Sequence, residues 1–243
     1  MTGVVLAGGM GTRLGPVTKY VNKHILPVGQ FPMVAHAIYT LLASGIKKIV
    51  VVTGPPFGHQ IIETVKRLSV KGARITFAIQ KKPYGIPDAI YQAKDYVGND
   101  SIIMVGGDNI FGGTFKKFIR YFKDGAVATL RKVDDPTRHG VPAYNSKGVL
   151  IDILEKPKKY SGRWAICSPN LFDNRVFGLI NTLKPSARGE LEIVDLLKKY
   201  LETSDLHLIK TADYWRDVGE LESLTQVAND ITNKRIKFAY DHF

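Results

Sequence analysis

Short apolar runs alternate with segments of helical periodicity along the first half of the chain. The apolar runs predict buried strands at residues 4–7, 48–53, 75–79 and 102–105. Between them apolar side chains recur three or four residues apart, which predicts helices at residues 32–45, 59–68 and 87–97. This alternation is typical of an α/β fold with a doubly wound, mostly parallel sheet, whose ligands bind at the carboxyl ends of the strands.

The second half of the chain is richer in strand patterns. Strands are predicted at residues 126–131, 141–144, 149–155 and 164–170, with a hairpin through Asn145-Ser146-Lys147-Gly148. Helical patterns return at residues 175–183, 191–201 and 221–231. Because no linker or repeat interrupts the chain, we predict one α/β domain with a mixed sheet and a β-rich excursion.

Composition narrows the classes of partner. The 243 residues carry 34 Lys+Arg against 22 Asp+Glu, a net charge of +12 that favours anionic partners. The basic residues are spread in pairs without interleaved aromatic residues, so nucleic acid is not expected. Cys167 is the single cysteine, which excludes an intrachain disulfide. No leader and no apolar run of membrane-spanning length is found, so we expect a cytoplasmic protein without membrane contact.

A glycine-rich segment follows the first apolar run. Gly8, Gly9 and Gly11 allow backbone N–H groups to approach an anion, and Arg13 and Lys23 add two cations. The segment is not a Walker A motif, because no Gly-Lys-Ser/Thr closes it, and its glycine spacing misses the dinucleotide fingerprint. A polyphosphate is the ligand that this chemistry favours.

Two aspartates are candidate metal ligands. Asp108 directly follows the strand predicted at residues 102–105, and Asp217 precedes the last helical pattern. Magnesium keeps several waters and needs only one or two protein carboxylates, so this pair would suffice. The structural alternatives are a helix N-cap for Asp108, serving a helix from Thr114 onward, and a turn residue for Asp217.

Two further segments carry candidate binding residues. Gln80 and Gly85 bracket a loop between a strand and a helix, where an amide could read the edge of a base. Glu155 and Lys156 end a strand, with the acid and the base expected on opposite faces, where they could hold sugar hydroxyls and a phosphate. A plain βα loop and an exposed strand end are the alternatives.

In this order and spacing, the motifs resemble the sugar-1-phosphate nucleotidyltransferase family, most closely the short-form glucose-1-phosphate thymidylyltransferases. The resemblance runs nearly end to end. It rests on Leu6-Ala7-Gly8-Gly9 with Gly11-Thr12-Arg13-Leu14, Lys23 with Leu26-Pro27-Val28, Pro32-Met33, Gly107-Asp108-Asn109, Glu155-Lys156-Pro157, residues 183–193, and Trp215, Asp217 and Gly219.

The resemblance implies a role for each matched residue. Nucleotide-binding residues would be Leu6, Gly8, Gly9, Gly11, Thr12, Gln80, Pro83, Gly85 and Gly107. The sugar-phosphate pocket would contain His139, Gly140, Glu155, Lys156, Ile166 and Trp215. Catalytic residues would be Arg13, Lys23, Asp108, Lys156 and Asp217, with magnesium on the two aspartates. Residues 1–125 would mainly bind the nucleotide and residues 126–243 mainly the sugar phosphate.

The implied reaction is attack by the phosphate of a sugar-1-phosphate on the α-phosphate of a nucleoside triphosphate, which releases pyrophosphate. The expected substrates are dTTP and glucose-1-phosphate or a related hexose phosphate. A homo-oligomer is also implied. UTP or a modified sugar is the alternative within this enzyme class, and a non-catalytic nucleotide- or sugar-phosphate-binding protein is the alternative outside it.

The chain departs from the family pattern on the side of the sugar. His139 stands where the family commonly has tyrosine, and residues 166–170 read Ile-Cys-Ser-Pro-Asn instead of Val-Thr-Gly-Leu-Tyr. Arg216 and Val218 flank Asp217 where leucine and threonine or alanine are common. A lost glycine reduces the space beside a ligand, and a proline cannot donate to a sheet. The nucleotide-binding residues are therefore expected to match the family pattern more closely than the sugar-binding residues do.

Overall fold

The computed structural model describes residues 1–240, so the last three residues of the predicted domain lie outside the described residues. The strands are β1 (Thr2–Leu6), β2 (Pro27–Val28), β3 (Phe31–Pro32), β4 (Lys48–Thr53), β5 (Arg74–Ile79), β6 (Ile102–Gly106), β7 (Asn109–Phe111), β8 (Ala126–Lys132), β9 (Gly140–Tyr144), β10 (Leu150–Glu155), β11 (Trp164–Phe172), β12 (Leu206–Lys210) and β13 (Trp215–Asp217). The helices are α1 (Met33–Ala43), α2 (Gly58–Lys66), α3 (Ile86–Gln92), α4 (Lys94–Val97), α5 (Lys116–Tyr121), α6 (Val176–Ile180), α7 (Ile193–Glu202) and α8 (Leu221–Thr232).

A seven-stranded sheet forms the centre of the described residues, in the order β12-β8-β11-β6-β1-β4-β5. Its pairs are parallel except where β11 runs antiparallel to both β6 and β8. The predicted mixed, mostly parallel α/β fold is confirmed. Because β1, β6 and β8 all run the same way, their carboxyl ends meet at one edge of the sheet.

Helices cover both faces of this sheet. Val4 and Val50 point to one face and pack with α3 and α7, whereas Val5 and Val51 point to the other face and pack with α1 and α2. Both cores exclude water because successive strand residues alternate between faces and each face meets apolar helix positions. This arrangement is the doubly wound architecture that the alternating sequence pattern predicts.

Within the described residues three small antiparallel pairs stand beside the central sheet, and one of them is β2 with β3. Strands β9 and β10 form the hairpin predicted through residues 145–148, which is the β-rich excursion. Strands β7 and β13 pair with Asp217 opposite Asn109. The pair of β7 with β13 brings a residue near the end of the chain next to the end of β6. The assignment of the two halves of the chain to nucleotide and sugar stays a prediction.

Several predicted boundaries differ from the structure. The single helix predicted at residues 87–97 is wrong, because α3 ends at Gln92 and α4 begins at Lys94, with Ala93 between them. The helix predicted at residues 175–183 shortens to α6. Strands β7, β12 and β13 escaped prediction because β7 and β13 have three residues each, too few for a period, and β12 carries partly exposed apolar side chains.

A buried histidine anchors the start of α1 to the end of the described chain. The Nε2 atom of His36 lies 2.8 Å from the Val28 carbonyl oxygen, so it donates there, and Nδ1 accepts from the Tyr240 hydroxyl at 2.5 Å. Burial lowers the pKa of His36 to about 4, although hydrogen bonds to Val28 and Phe31 oppose the shift. The native state therefore holds this imidazole neutral.

This histidine predicts an acid-sensitive fold. The unfolded chain binds a proton at His36 near pH 6.5 and the folded chain only near pH 4, so the free energy of unfolding falls as pH decreases through this window. At pH 4 the loss from this residue is about 3 kcal/mol. His36→Gln should be less stable at neutral pH but should show a flatter pH dependence in urea unfolding.

The matched control is His59→Gln, which changes an exposed histidine in α2. Its pH dependence should follow that of the unaltered protein. Equal slopes for His36→Gln and His59→Gln between pH 6.5 and 4 would contradict the assignment to His36.

Candidate active site

The glycine loop after β1 wraps around the side chain of Lys23. Gly11 has a φ of +67°, and a Cβ atom there would lie 2.9 Å from the Cβ of Lys23. A Cβ at Gly9 would lie 3.5 Å from the Cε of Lys23. Glycine at position 11 is therefore required by both backbone conformation and space, since L side chains rarely adopt positive φ. Thr12 and Arg13 follow in a one-turn 3₁₀ helix.

Lys23 is buried beneath this loop and forms an ion pair with Asp108. Its Nζ donates to Asp108 Oδ2, with 9% of the lysine side chain and 16% of the aspartate side chain exposed. Burial would raise the pKa of Asp108, but the charge and the hydrogen bond of Lys23 oppose it, and the pKa lies at about 2. Asp108 is therefore a carboxylate at neutral pH, and its first counter-charge comes from the chain itself.

Asp217 joins this ion pair through the pairing of β13 with β7. The Val218 N–H donates to the Asp108 carbonyl oxygen at 2.9 Å. Burial and then repulsion by Asp108 raise the pKa of Asp217 to about 7, against the opposing charges of Lys23 and Arg13. A Cβ at Gly219 would lie 2.8 Å from Asp217 Oδ1 and 3.1 Å from Arg13 Nη2, so these groups converge at one point.

The structural alternatives for the two aspartates are wrong. Helix α5 begins at Lys116 after an N-cap at Phe115, so Asp108 caps no helix there. Asp217 is the last residue of β13 rather than a turn residue. Within residues 1–240 no group of three or more His, Cys, Asp or Glu side chains forms a metal cage. Two buried carboxylates whose repulsion helps to raise the pKa of Asp217 fit a divalent cation that retains waters.

Arg13 closes the loop against α8. It donates from Nη1 to Glu220 Oε1 at 2.9 Å, and Arg138 contacts the same carboxylate oxygen through Nη2. Glu220 thus holds one arginine from the glycine loop and one from the segment before β9. The side chain of Arg13 is 58% exposed, which leaves it accessible to a ligand in the loop.

The loop between β5 and α3 lies next to the glycine loop. Gln80 donates from Nε2 to the Gly85 carbonyl at 3.1 Å and to Asp88 Oδ2 at 2.7 Å, and its Oε1 lies 3.4 Å from the Cβ position of Gly8. Gly85 has a φ of +95°, and a Cβ there would lie 2.0 Å from the Leu191 carbonyl oxygen. The remaining predicted nucleotide residues lie at this edge as well, with Leu6 accepting from the Gly107 N–H at 2.8 Å and Pro83 exposed.

A second group of predicted residues meets at the start of β9. A Cβ at Gly140 would lie 3.7 Å from Ile166 Cδ1 and 3.8 Å from Glu155 Oε2. The expectation that Glu155 and Lys156 point to opposite faces is wrong, because Lys156 Nζ lies 3.3 Å from Glu155 Oε1. Lys156 has a φ of +43° just after β10, so strand alternation no longer applies and its side chain turns back.

The structure adds residues that sequence reasoning missed. Arg188 donates to Glu155 Oε1 at 3.2 Å and to Glu192 Oε2 at 2.6 Å, and Ser186 donates to Glu192 Oε1 at 2.7 Å. All three lie in residues 183–193, a matched motif to which no role was given. Asn109 donates to Asp108 Oδ1 at 2.9 Å and accepts from the Trp215 indole N–H at 3.0 Å.

His24 was also missed. It lies buried beside Lys23, with Nδ1 2.8 Å from Asn22 Oδ1. Burial, and then the charge of Lys23, lower its pKa to about 3. In the sequence, only its position next to Lys23 could have indicated that His24 belongs to the site.

The departures on the sugar side have structural consequences. The rings of His139 and Trp215 lie 6.3 Å apart in an edge-on arrangement, and burial and the charge of Arg138 lower the pKa of His139. Pro169 is accommodated inside β11 because the register with β8 shifts between Cys167 and Asn170. A bulge of this kind removes the need for a ladder N–H at the proline.

Comparison with known proteins identifies the family. Residues 2–234 match the nucleotidyl transferase family, and the chain belongs to it. It is 37% identical over 237 residues to the glucose-1-phosphate thymidylyltransferase of Neisseria meningitidis, covering 94% of this chain and 82% of that protein. It is 36% identical over 245 residues to the enzyme of the same name from Xanthomonas campestris, covering 94% and 80%.

The fold is shared with a solved structure. A protein from Bacillus anthracis, named as a glucose-1-phosphate thymidylyltransferase and solved with sucrose, superposes with a TM-score of 0.86 at 38% identity and 94% coverage of both chains. The predicted resemblance is confirmed. Nucleotidyl transferases generally use a divalent metal. Among the helices of the described residues, none has the length and apolar character needed to span a bilayer.

The contact between Gly11 and Lys23 yields a prediction with an internal control. Alanine at Gly11 enters the left-handed helical region, with φ +67° and ψ 28°, which costs about 1–2 kcal/mol of stability. Alanine at Gly15, with φ +79° and ψ −156°, lies outside that region and is strained at least as much, so the control does not understate the backbone cost. Only Gly11→Ala also meets Lys23, since nothing lies within 4 Å of the Cβ position of Gly15. Gly11→Ala should weaken binding of dTTP with magnesium at least tenfold in calorimetry, whereas Gly15→Ala should change it less than threefold. Equal losses of binding in the two variants would show that the contact between Gly11 and Lys23 does not matter for binding.

Proposed function

We propose that this member of the nucleotidyl transferase family transfers a nucleotidyl group from a nucleoside triphosphate to a sugar-1-phosphate, forming a nucleotide sugar and pyrophosphate. The observation that carries the proposal is the convergence of Lys23, Asp108 and Asp217 beneath a glycine loop that ends in Arg13. A binding protein has little need for two buried carboxylates beside a phosphate loop. In a transferase, negative charge develops on the departing pyrophosphate, and the two carboxylates are needed to hold a cation that neutralises it.

The glycine loop is proposed to hold the triphosphate. Backbone N–H groups of Gly8, Gly9 and Gly11 are the donors suited to phosphate oxygens. An ammonium group has three N–H donors, and Lys23 uses one for Asp108, which leaves two for a ligand. Arg13 lies on the other side of the loop and offers a guanidinium fork. Both cations would stabilise negative charge that develops on the transferred group and on pyrophosphate.

Magnesium is the proposed metal, and Asp108 and Asp217 are the residues that would hold it. The raised pKa of Asp217 reflects burial and repulsion by Asp108, so a divalent cation between the carboxylates would relieve that repulsion. When bound, magnesium would neutralise phosphate charge and orient the triphosphate.

The acceptor is proposed to bind at Gly140, Glu155 and Lys156. A phosphomonoester is largely dianionic at neutral pH and is already a nucleophile, so no general base is required. Lys156 would hold this phosphate in line with the α-phosphate, and Glu155 would accept from sugar hydroxyls. Arg188 orients Glu155 through its 3.2 Å contact. Catalysis then consists of positioning and electrostatic stabilisation.

The proposed substrates are dTTP and glucose-1-phosphate, by similarity to the Neisseria and Xanthomonas proteins named above. The Gln80 side chain supports a pyrimidine base on that side. Its two N–H donors are held by Gly85 and Asp88, and its Oε1 faces Gly8, where it can accept from a base N–H. We further propose that the reaction takes place in the cytoplasm and that the protein is a homo-oligomer.

The direct test is a substrate panel. The protein is incubated with magnesium, each nucleoside triphosphate and a set of sugar-1-phosphates, and pyrophosphate release is measured. Release should depend on both substrates and be fastest with dTTP. Faster pyrophosphate release with UTP than with dTTP would show that uracil is the preferred base. Binding of both substrates without any pyrophosphate release would contradict the proposed transfer.

Asp108 and Asp100 provide a matched pair of substitutions. The two aspartates lie at opposite ends of β6, and each forms an ion pair, Asp108 with Lys23 and Asp100 with Lys48. Asp108→Asn should lower kcat more than about 100-fold, because it removes a charge from the proposed metal site. Asp100→Asn should leave kcat within twofold. A normal kcat in Asp108→Asn, with its fold verified by circular dichroism, would refute the assigned role.

His139 is predicted to influence the choice of sugar. The imidazole lies near Trp215 and is half-buried beside the proposed acceptor pocket. His139→Tyr should change the ratio of kcat/KM between glucose-1-phosphate and other hexose phosphates at least fivefold, while the ratio between dTTP and UTP stays constant. An unchanged sugar profile would count against this placement of the acceptor.

A further inference from the structure

A second pocket opens at the same edge of the sheet, beyond the group of residues proposed for the acceptor. It has a volume of about 310 Å³ and lies between the end of β8, the start of β11 and the segment that leads into β13. Trp164 and Trp215 both line it, and they are the two tryptophans of the chain. Arg131 and Lys132 supply its positive charge.

Arg131 is the unusual member of this pocket. Its residue is only 4% exposed, yet within residues 1–240 it forms no ion pair. Its hydrogen bonds go to backbone carbonyl oxygens, from Nε to Ser168 at 3.3 Å and from Nη1 to Asp213. Buried charges in proteins are normally paired, so a buried arginine that is hydrogen-bonded only to neutral groups is suited to bind an anion.

The acidic side chain that lines the pocket forms its ion pair elsewhere. The Asp213 carboxylate is held by Lys117, with Oδ2 2.5 Å from Nζ. Lys132 and Lys210 place their ammonium groups over the Trp164 ring, at 5.6 and 5.2 Å from its centroid. Burial lowers the pKa of Arg131 to about 10, against the opposing influence of Cys167 and Asp213, so the group remains charged at neutral pH.

The walls of the pocket indicate what kind of anion would fit. Two indole rings give flat apolar surfaces against which a ring can stack. The Arg131 guanidinium lies 5.9 Å from the Trp215 ring, so the cation and the aromatic surface are adjacent. The volume lies at the lower end of small-molecule sites, which suits a single sugar ring better than a nucleotide.

We propose that this pocket is a second anion site that binds a sugar ring carrying an anionic group. It differs from the proposed acceptor-phosphate site because its cation is Arg131 rather than Lys156. The anionic sugar has two possible sources: a charged substituent on the acceptor, which rests on the proposed function, or a separate sugar phosphate. Ser168 and Trp215 connect the two sites, since Ser168 follows the strand segment that contains Ile166, and Trp215 also contacts His139.

Equilibrium binding tests the site without any turnover. The probe is glucose 6-phosphate, which has no anomeric phosphate and cannot act as the acceptor, and the signal is tryptophan fluorescence confirmed by calorimetry. Arg131→Gln should weaken its binding at least tenfold, and Arg131→Lys should recover most of the affinity because it keeps the charge. Lys156→Gln should bind the probe within twofold of the unaltered protein.

Two further comparisons separate the anion from the ring. Trp164→Leu should weaken the binding of glucose 6-phosphate at least fivefold. It should leave the affinity for inorganic phosphate unchanged, because phosphate needs only the cation. Neutral glucose should bind at least tenfold more weakly than glucose 6-phosphate. The proposal is overturned if the unaltered protein binds no glucose 6-phosphate at millimolar concentration, or if a folded Arg131→Gln binds it as well as the unaltered protein.

Acceptor kinetics distinguish the two sources. If the anionic group belongs to the acceptor, glucuronate 1-phosphate should have a lower KM than glucose-1-phosphate, and Arg131→Gln should abolish that preference. If the ligand is separate, Arg131→Gln should leave acceptor preference unchanged while glucose 6-phosphate binding is still lost. Failure of pyrophosphate release with every substrate would contradict the proposed function and would leave the binding result intact.

Discussion

The ion pair between Lys23 and Asp108 is the contact on which the arrangement of the site depends. It joins the segment after the glycine loop to the end of β6, and it does so in a region from which water is largely excluded. Removal of either partner would leave a buried charge without compensation, which is far more costly than the loss of a surface pair. The loop therefore has its shape because Gly9 and Gly11 leave room for the lysine that reaches this carboxylate.

Charged side chains surround this ion pair, with a second carboxylate on one side and two arginines on the other. The pairing of β7 with β13 places Asp217 opposite Asn109, near Asp108, and burial together with repulsion by Asp108 raises the pKa of Asp217. Arg13 is held at the rim by Glu220, which also holds Arg138. The site is therefore organised before any ligand binds. Its two carboxylates favour a cation, and its arginine and lysine favour a polyanion. Such preorganisation is what electrostatic catalysis requires.

The sequence predicted the parts of the fold that have a clear period. Strand β4 was predicted at its observed bounds, and the doubly wound sheet followed from strict alternation of strands and helices. The break at Ala93 and strands β7 and β13 could not be predicted, because their length or register is set by tertiary contacts. The same limit applies to the site. Lys23 and Asp108 stand in recognisable motifs, whereas the contacts of Arg188 and Arg131 depend on how distant segments fold together.

Gly85 touches the Leu191 carbonyl so closely that no side chain fits between them. One of these residues belongs to the predicted nucleotide half, and the other leads into the segment that holds Glu155 through Arg188 and Glu192. Exchange of segments between relatives is therefore constrained. A chimaera joined near residue 125 must inherit a matching pair at this contact. Recombination between relatives can exchange residues that lie away from this contact, such as His139 and Arg131, without disturbing it.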